Sequence, residues 1–102
     1  MDREQIIEVG RRFIELVRNH IVVKKAVLFG SQVKGTARAD SDIDIAIIVD
    51  RIDGDYLTIE AELFKLRRNI DYRIEPILLE EDNDPSGFMQ EILKTGEILY
   101  DT

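Results

Sequence analysis

The sequence predicts an α+β domain, a small mixed β-sheet covered by helices, and three observations lead there. Apolar residues recur at spacings of three and four in Ile6, Val9, Phe13, Leu16 and Val17, and again in Tyr56, Ile59, Leu63, Leu66 and Ile70, which marks two amphipathic helices. Two short apolar runs, Ala26-Val27-Leu28-Phe29 and Ile43 to Val49, are too brief for helices and stop at Gly30 and Asp50, as buried strands do. A third run, Asp71 to Leu79, alternates in character with a period of two.

The elements follow in order. Asp2 and Gln5 have the spacing of a capping box, so the first helix should start there and run to about Asn19. After the strand ending at Phe29, Gly30 and Gly35 bracket a short helix or loop of small and polar residues. The second strand, roughly Ile43 to Val49, is followed by the turn signal Asp53-Gly54 and a helix over about Asp55 to Arg68. In the strand from Asp71 to Leu79, Asp71, Arg73, Glu75 and Ile77 should share one face, and Pro76, lacking an amide hydrogen, points to an edge or a bulge. Pro85 suits the first turn of a helix running to about Lys94 before Gly96, and Glu97 to Tyr100 reads as a last short strand. Residues 1–102 contain no repeat, linker or low-complexity tract and should form a single domain.

Composition narrows the function classes. A net charge of -7 argues against broad binding to duplex nucleic acid, which needs a basic surface to release counterions. With no cysteine there is no thiolate metal site, disulfide or cysteine nucleophile. The single histidine, His20, leaves no material for a Ser-His-Asp triad beyond itself. No stretch is long and apolar enough to cross a bilayer and the charged N-terminus has no signal-peptide core, so a cytoplasmic protein without membrane contact is expected.

The chemistry concentrates in Gly30-Ser31 and Asp42-Ile43-Asp44. Two aspartates two residues apart on a strand project from one face, away from Ile43 and Ile45. Such a like-charged pair resists burial, and a bound cation with oxygen ligands relieves it. The alternative is a solvated strand edge, which the apolar run through Val49 disfavours. Gly30-Ser31 after a buried strand could hold a phosphate through backbone amides, although taken alone it is also common turn chemistry. No Gly-Lys-Ser/Thr follows, and three spaced glycines are missing, which sets aside the P-loop and dinucleotide fingerprints.

Ten residues separate Ser31 from Asp42. The pattern of Gly-Ser after an apolar strand, ten residues, and Asp-x-Asp flanked by apolar residues resembles the signature of nucleotidyltransferases of the DNA polymerase beta superfamily, most closely their minimal stand-alone members. The resemblance spans nearly the whole chain. It implies the nucleotidyltransferase fold and transfer of a nucleoside monophosphate, AMP from ATP or from another nucleoside triphosphate, to a hydroxyl. It further implies that Asp42, Asp44 and a third acid hold two Mg²⁺ ions while Gly30 and Ser31 position the β- and γ-phosphates. Lys34 and Arg38 could neutralise triphosphate charge, although solvated loop cations are the commoner case.

Asp71 and Glu75 compete for the third position. About 13 Å of strand separates them, so only one can join the pair. Glu75, mid-strand between Ile74 and Pro76, is assigned to the metal site, Asp71 to turn chemistry, and Arg73 to a partner for either acid or a phosphate contact. Tyr56 and Tyr72 read as core or rim residues. The minimal members resemble antitoxins whose partner is a helical HEPN toxin, so the expected acceptor is a tyrosine of such a partner. The rival reading is a binding module that neutralises a helical partner without turnover. Either that partner or self-association into a homo-oligomer should supply acceptor-binding surface.

Overall fold

The computed structural model describes residues 2–38 and 40–102. The capping box forms: Gln5 N donates to Asp2 Oδ1 at 2.9 Å and Asp2 N donates to Gln5 Oε1 at 2.9 Å, which starts helix α1, Arg3–Val17. The helix ends two residues before the expected Asn19. There the chain tightens, His20 N and Ile21 N both donating to Val17 O, and turns towards strand β1, Lys25–Phe29. A one-turn helix α2, Ser31–Lys34, leads by way of Gly35 to strand β2, Ile43–Val49. Helix α3, Tyr56–Leu66, tightens into a 3-10 turn over Arg67–Asn69 before strand β3, Ile74–Glu80. Helix α4, Phe88–Thr95, and strand β4, Glu97–Asp101, complete the chain.

The four strands form one mixed sheet in the order β3-β2-β1-β4. Strand β1 is antiparallel to both β2 and β4, whereas β2 and β3 are parallel, as their connection through α3 allows. Alternate residues of β2 serve two cores. Ile43, Ile45, Ile47 and Val49 face α1 and α3, where Phe13, Ile14, Val17 and Leu63 are fully or almost fully buried. Ala46 and Ile48 face Met89 and Ile92 of α4. A strand buried on both faces reads as a continuous apolar run, and that is why Ile43 to Val49 was so plain in the sequence.

Two further boundaries, at the starts of β3 and α4, differ from expectation. Strand β3 begins at Ile74, not Asp71, because the Asp71 carboxylate accepts Arg73 N at 2.9 Å and closes a turn in front of the strand. Pro76 then lies in an edge strand, as a residue without an amide hydrogen requires. Helix α4 begins at Phe88, beyond Pro85. Its first amides, Met89 N and Gln90 N, each donate to the Asp84 carboxylate at 2.9 Å, and Gly87 at φ 77° reverses the chain just ahead of them. Among the described residues no helix is long and apolar enough to cross a membrane.

Candidate active site

Strand register assembles the site. Phe29, the last residue of β1, pairs with Asp44 of β2, and Asp44 pairs with Glu75 of β3. Directly paired residues share a face, so Phe29, Asp44 and Glu75 form a row across the sheet on the side that carries α4. The row ends in an aromatic contact, Phe29 meeting Phe88 edge to face at 5.5 Å between ring centres. Asp42 lies one residue before β2 and is exposed, not a strand residue as its spacing from Asp44 suggested. It is still electrostatically coupled to Asp44. Burial, and then the negative charges of Asp42 and Glu75, push the Asp44 carboxyl above its ordinary range.

Gly30 follows β1 with φ 78°, a conformation that L side chains rarely adopt. A Cβ at this position would run into Oδ2 of Asp44. The glycine therefore lets the Asp44 carboxylate pack directly against the backbone of the turn. Ser31 opens α2 and is half-buried, and its carbonyl accepts Gly35 N to close the turn. Gln32, which the sequence did not single out, ties α2 to the start of β2, its Nε2 donating to Asp42 O at 3.2 Å. Lys34 and Arg38 are exposed. Arg38 also belongs to a turn in which its amide donates to Ser41 Oγ at 2.7 Å.

Asp71 and Glu75 separate cleanly. Asp71 is engaged by Arg73 through Nε at 3.1 Å and Nη2 at 2.8 Å, and these bonds hold its carboxyl below the ordinary range. Both of its oxygens are committed to that fork. Arg73 O in turn accepts Ile43 N at 2.7 Å, so this turn braces the entry to β2. Glu75 stands beside Asp44, and its nearest cation is Arg67, with Nη1 at 3.5 Å from Oε1. Nothing local in the sequence announced Arg67; its position emerges only when the 3-10 turn packs against the edge of β3. Tyr56 and Tyr72 are exposed, at 40% and 71%, so neither is a core residue. His20 is outside this site, 3.9 Å from Glu62.

Among the described residues no group of three or more histidine, cysteine or carboxylate side chains is placed to hold a metal ion. The chemistry of Asp42, Asp44 and Glu75 nevertheless suits Mg²⁺, because they offer hard carboxylate oxygens whose mutual repulsion a cation relieves. A cleft of about 460 Å³ lies elsewhere, lined by residues including His20, Val22, Asp50, Arg51 and Leu78. Val49, part of that lining, is about 17 Å along β2 from Asp44, so the cleft and the carboxylates are separate features.

Comparison with known proteins gives one consistent family. The chain matches the family model for the polymerase beta nucleotidyltransferase domain over residues 11–102. A search of the curated proteins finds no match. Among solved structures, a candidate nucleotidyltransferase from Sulfolobus solfataricus is similar at a TM-score of 0.70 and 19% identity, over 97% of this chain and 83% of that one. A chain of a toxin–antitoxin complex with AMP-PNP is similar at 0.69 and 27% identity, over 91% and 74%. Another, from the tri-AMPylated Shewanella oneidensis HEPN toxin in complex with its MNT antitoxin, is similar at 0.64 and 22% identity, over 98% and 73%. The match covers most of the chain, in a mixed four-stranded sheet that sets Asp44 beside Glu75, and this protein therefore belongs to the polymerase beta family of nucleotidyltransferases.

Proposed function

We propose that this protein transfers AMP from ATP to a tyrosine hydroxyl of a helical, HEPN-type partner, with Asp42, Asp44 and Glu75 as the carboxylates that hold two Mg²⁺ ions. In the transfer the acceptor oxygen forms a bond to the α-phosphorus, the bond from that phosphorus to the β-bridging oxygen breaks, pyrophosphate leaves, and the hydroxyl proton is lost. When bound, the ions supply Lewis-acid activation of the attacking oxygen and neutralise the leaving pyrophosphate. Gly30 lets the strand exit pass directly against the Asp44 carboxylate, Ser31 offers its hydroxyl and amide, and Lys34 and Arg38 add positive charge on the flanking loop.

The observation that carries this reading is the in-register row of Asp44 and Glu75 with Gly30 held against Asp44. The partner is supported by the similar chains, which are found in complexes of antitoxins with toxins, one of them AMPylated. That similarity also favours the second reading, an antitoxin acting by binding alone. Incubation with each labelled nucleoside triphosphate, Mg²⁺ and a lysate of the source organism separates the two, because only an enzyme labels a protein in the lysate. In the same assay Glu75→Gln should abolish labelling and Asp71→Asn should leave most of it. The reverse result would assign the third ligand to Asp71.

A further inference from the structure

Arg67 opens the 3-10 turn after α3 and reaches the edge of β3 with its guanidinium held on three sides. Its Nη1 donates to Ile74 O at 2.9 Å and lies 3.5 Å from Oε1 of Glu75, so one nitrogen spans the backbone of one residue and the carboxylate of the next. The guanidinium carbon is also 4.8 Å from the centre of the Phe64 ring, a stacking that restricts its rotation. Its own carbonyl accepts Ile70 N at 2.9 Å and Asp71 N at 2.8 Å, fixing the backbone from which the side chain extends.

From this geometry we propose that Arg67 is a positioning residue for nucleotidyl transfer, pinning Oε1 of Glu75 so that the carboxylate stays beside Asp44. The inference rests on Glu75 being the third ligand. Glu75 sits next to Asp44 and is electrostatically coupled to it, so without a counter-charge repulsion favours rotamers that turn it away from the row. At 25% and 38% side-chain exposure the ion pair is partly screened, and its effect is orientation more than stability. A guanidinium, planar and already anchored to Ile74 O, suits this task better than an ammonium. Removing such a donor to a metal-ligating carboxylate typically costs about 10–100-fold in metal affinity or activity.

Two measurements test the proposal, and the first needs no turnover. Calorimetric titration of Mn²⁺ into the protein, with a non-hydrolysable ATP analogue present, should show binding about tenfold weaker in Arg67→Gln and partly restored in Arg67→Lys. Thermal unfolding in chelator should confirm that Arg67→Gln is folded. In labelling assays Arg67→Gln should lower kcat about tenfold while KM for the nucleotide moves less than about twofold. Mn²⁺ affinity equal to or tighter than wild type in Arg67→Gln would overturn the proposal, as would an unchanged kcat. If the wild-type protein labels nothing, the transferase reading above fails, while the Mn²⁺ titration still decides whether Arg67 holds Glu75.

Discussion

On the proposed function, Asp44 is the residue at which stability and function oppose one another. Its carboxyl is pushed up by burial, then by Asp42 and Glu75, from an ordinary value of 3.8. A carboxyl with a folded-state pKa above its unfolded value binds its proton more tightly when folded, so folding loses stability as pH rises from about 3.8 through the raised value. Above that window the loss is complete. Asparagine does not ionise, so Asp44→Asn should raise Tm at pH 7, and the gain should vanish below about pH 3.8. Activity should fall to background. Thermal scans across pH with a labelling assay on the same samples check both halves, and full Mg²⁺-dependent activity in this variant would remove Asp44 from the ligand set. Asp71 is the opposite case, an acid whose charge is already satisfied by Arg73, and this is why its amide is expected to spare transfer.

At the scale of elements, strand pairing and helix termini fix the site. The parallel register of β2 and β3 brings Glu75 beside Asp44, and a slip of one residue would turn Glu75 to the opposite face. Helix α4 supports the same face through Met89 and Ile92, and Asp84 anchors its start by accepting two amides. Asp84→Ala should therefore cost about 0.5–2 kcal/mol, the range for losing a side chain that caps helix-start amides, measured by urea unfolding. Transfer should change little, because Asp84 is placed at the helix start and not in the carboxylate row. An Asp84→Ala protein of wild-type stability would mean that α4 starts without this cap.

For the whole molecule, the carboxylates lie at one end of β2 and the cleft lined by His20, Val22 and Leu78 at the other, so the cleft does not adjoin the carboxylate row. On the proposed function, light scattering of the protein purified from its source should give a mass above the 11.8 kDa of one chain, with a helical partner or a second copy bound. A lone monomer that modifies a small molecule efficiently would argue against a protein acceptor. Adding the partner should raise the transfer rate without changing which nucleoside triphosphate is used.

The sequence by itself determined the fold class, the strands around the glycine turn, and the spacing of Ser31 from Asp42 that marks the family. These are local patterns: a strand buried on both faces is continuously apolar, and a tight strand exit needs glycine. The capping box at Asp2 and Gln5 was legible for the same reason, since two residues three apart carry the whole interaction. The starts of β3 and α4 were not, because Asp71 and Asp84 shift them through side-chain bonds that compete with the backbone pattern. Only the tertiary structure decided that Asp42 lies outside the strand, that Glu75 stands against Asp44, and that Arg67 reaches Glu75. Contacts between elements distant in sequence depend on register and on packing at a sheet edge, and neither leaves a periodic trace in the chain.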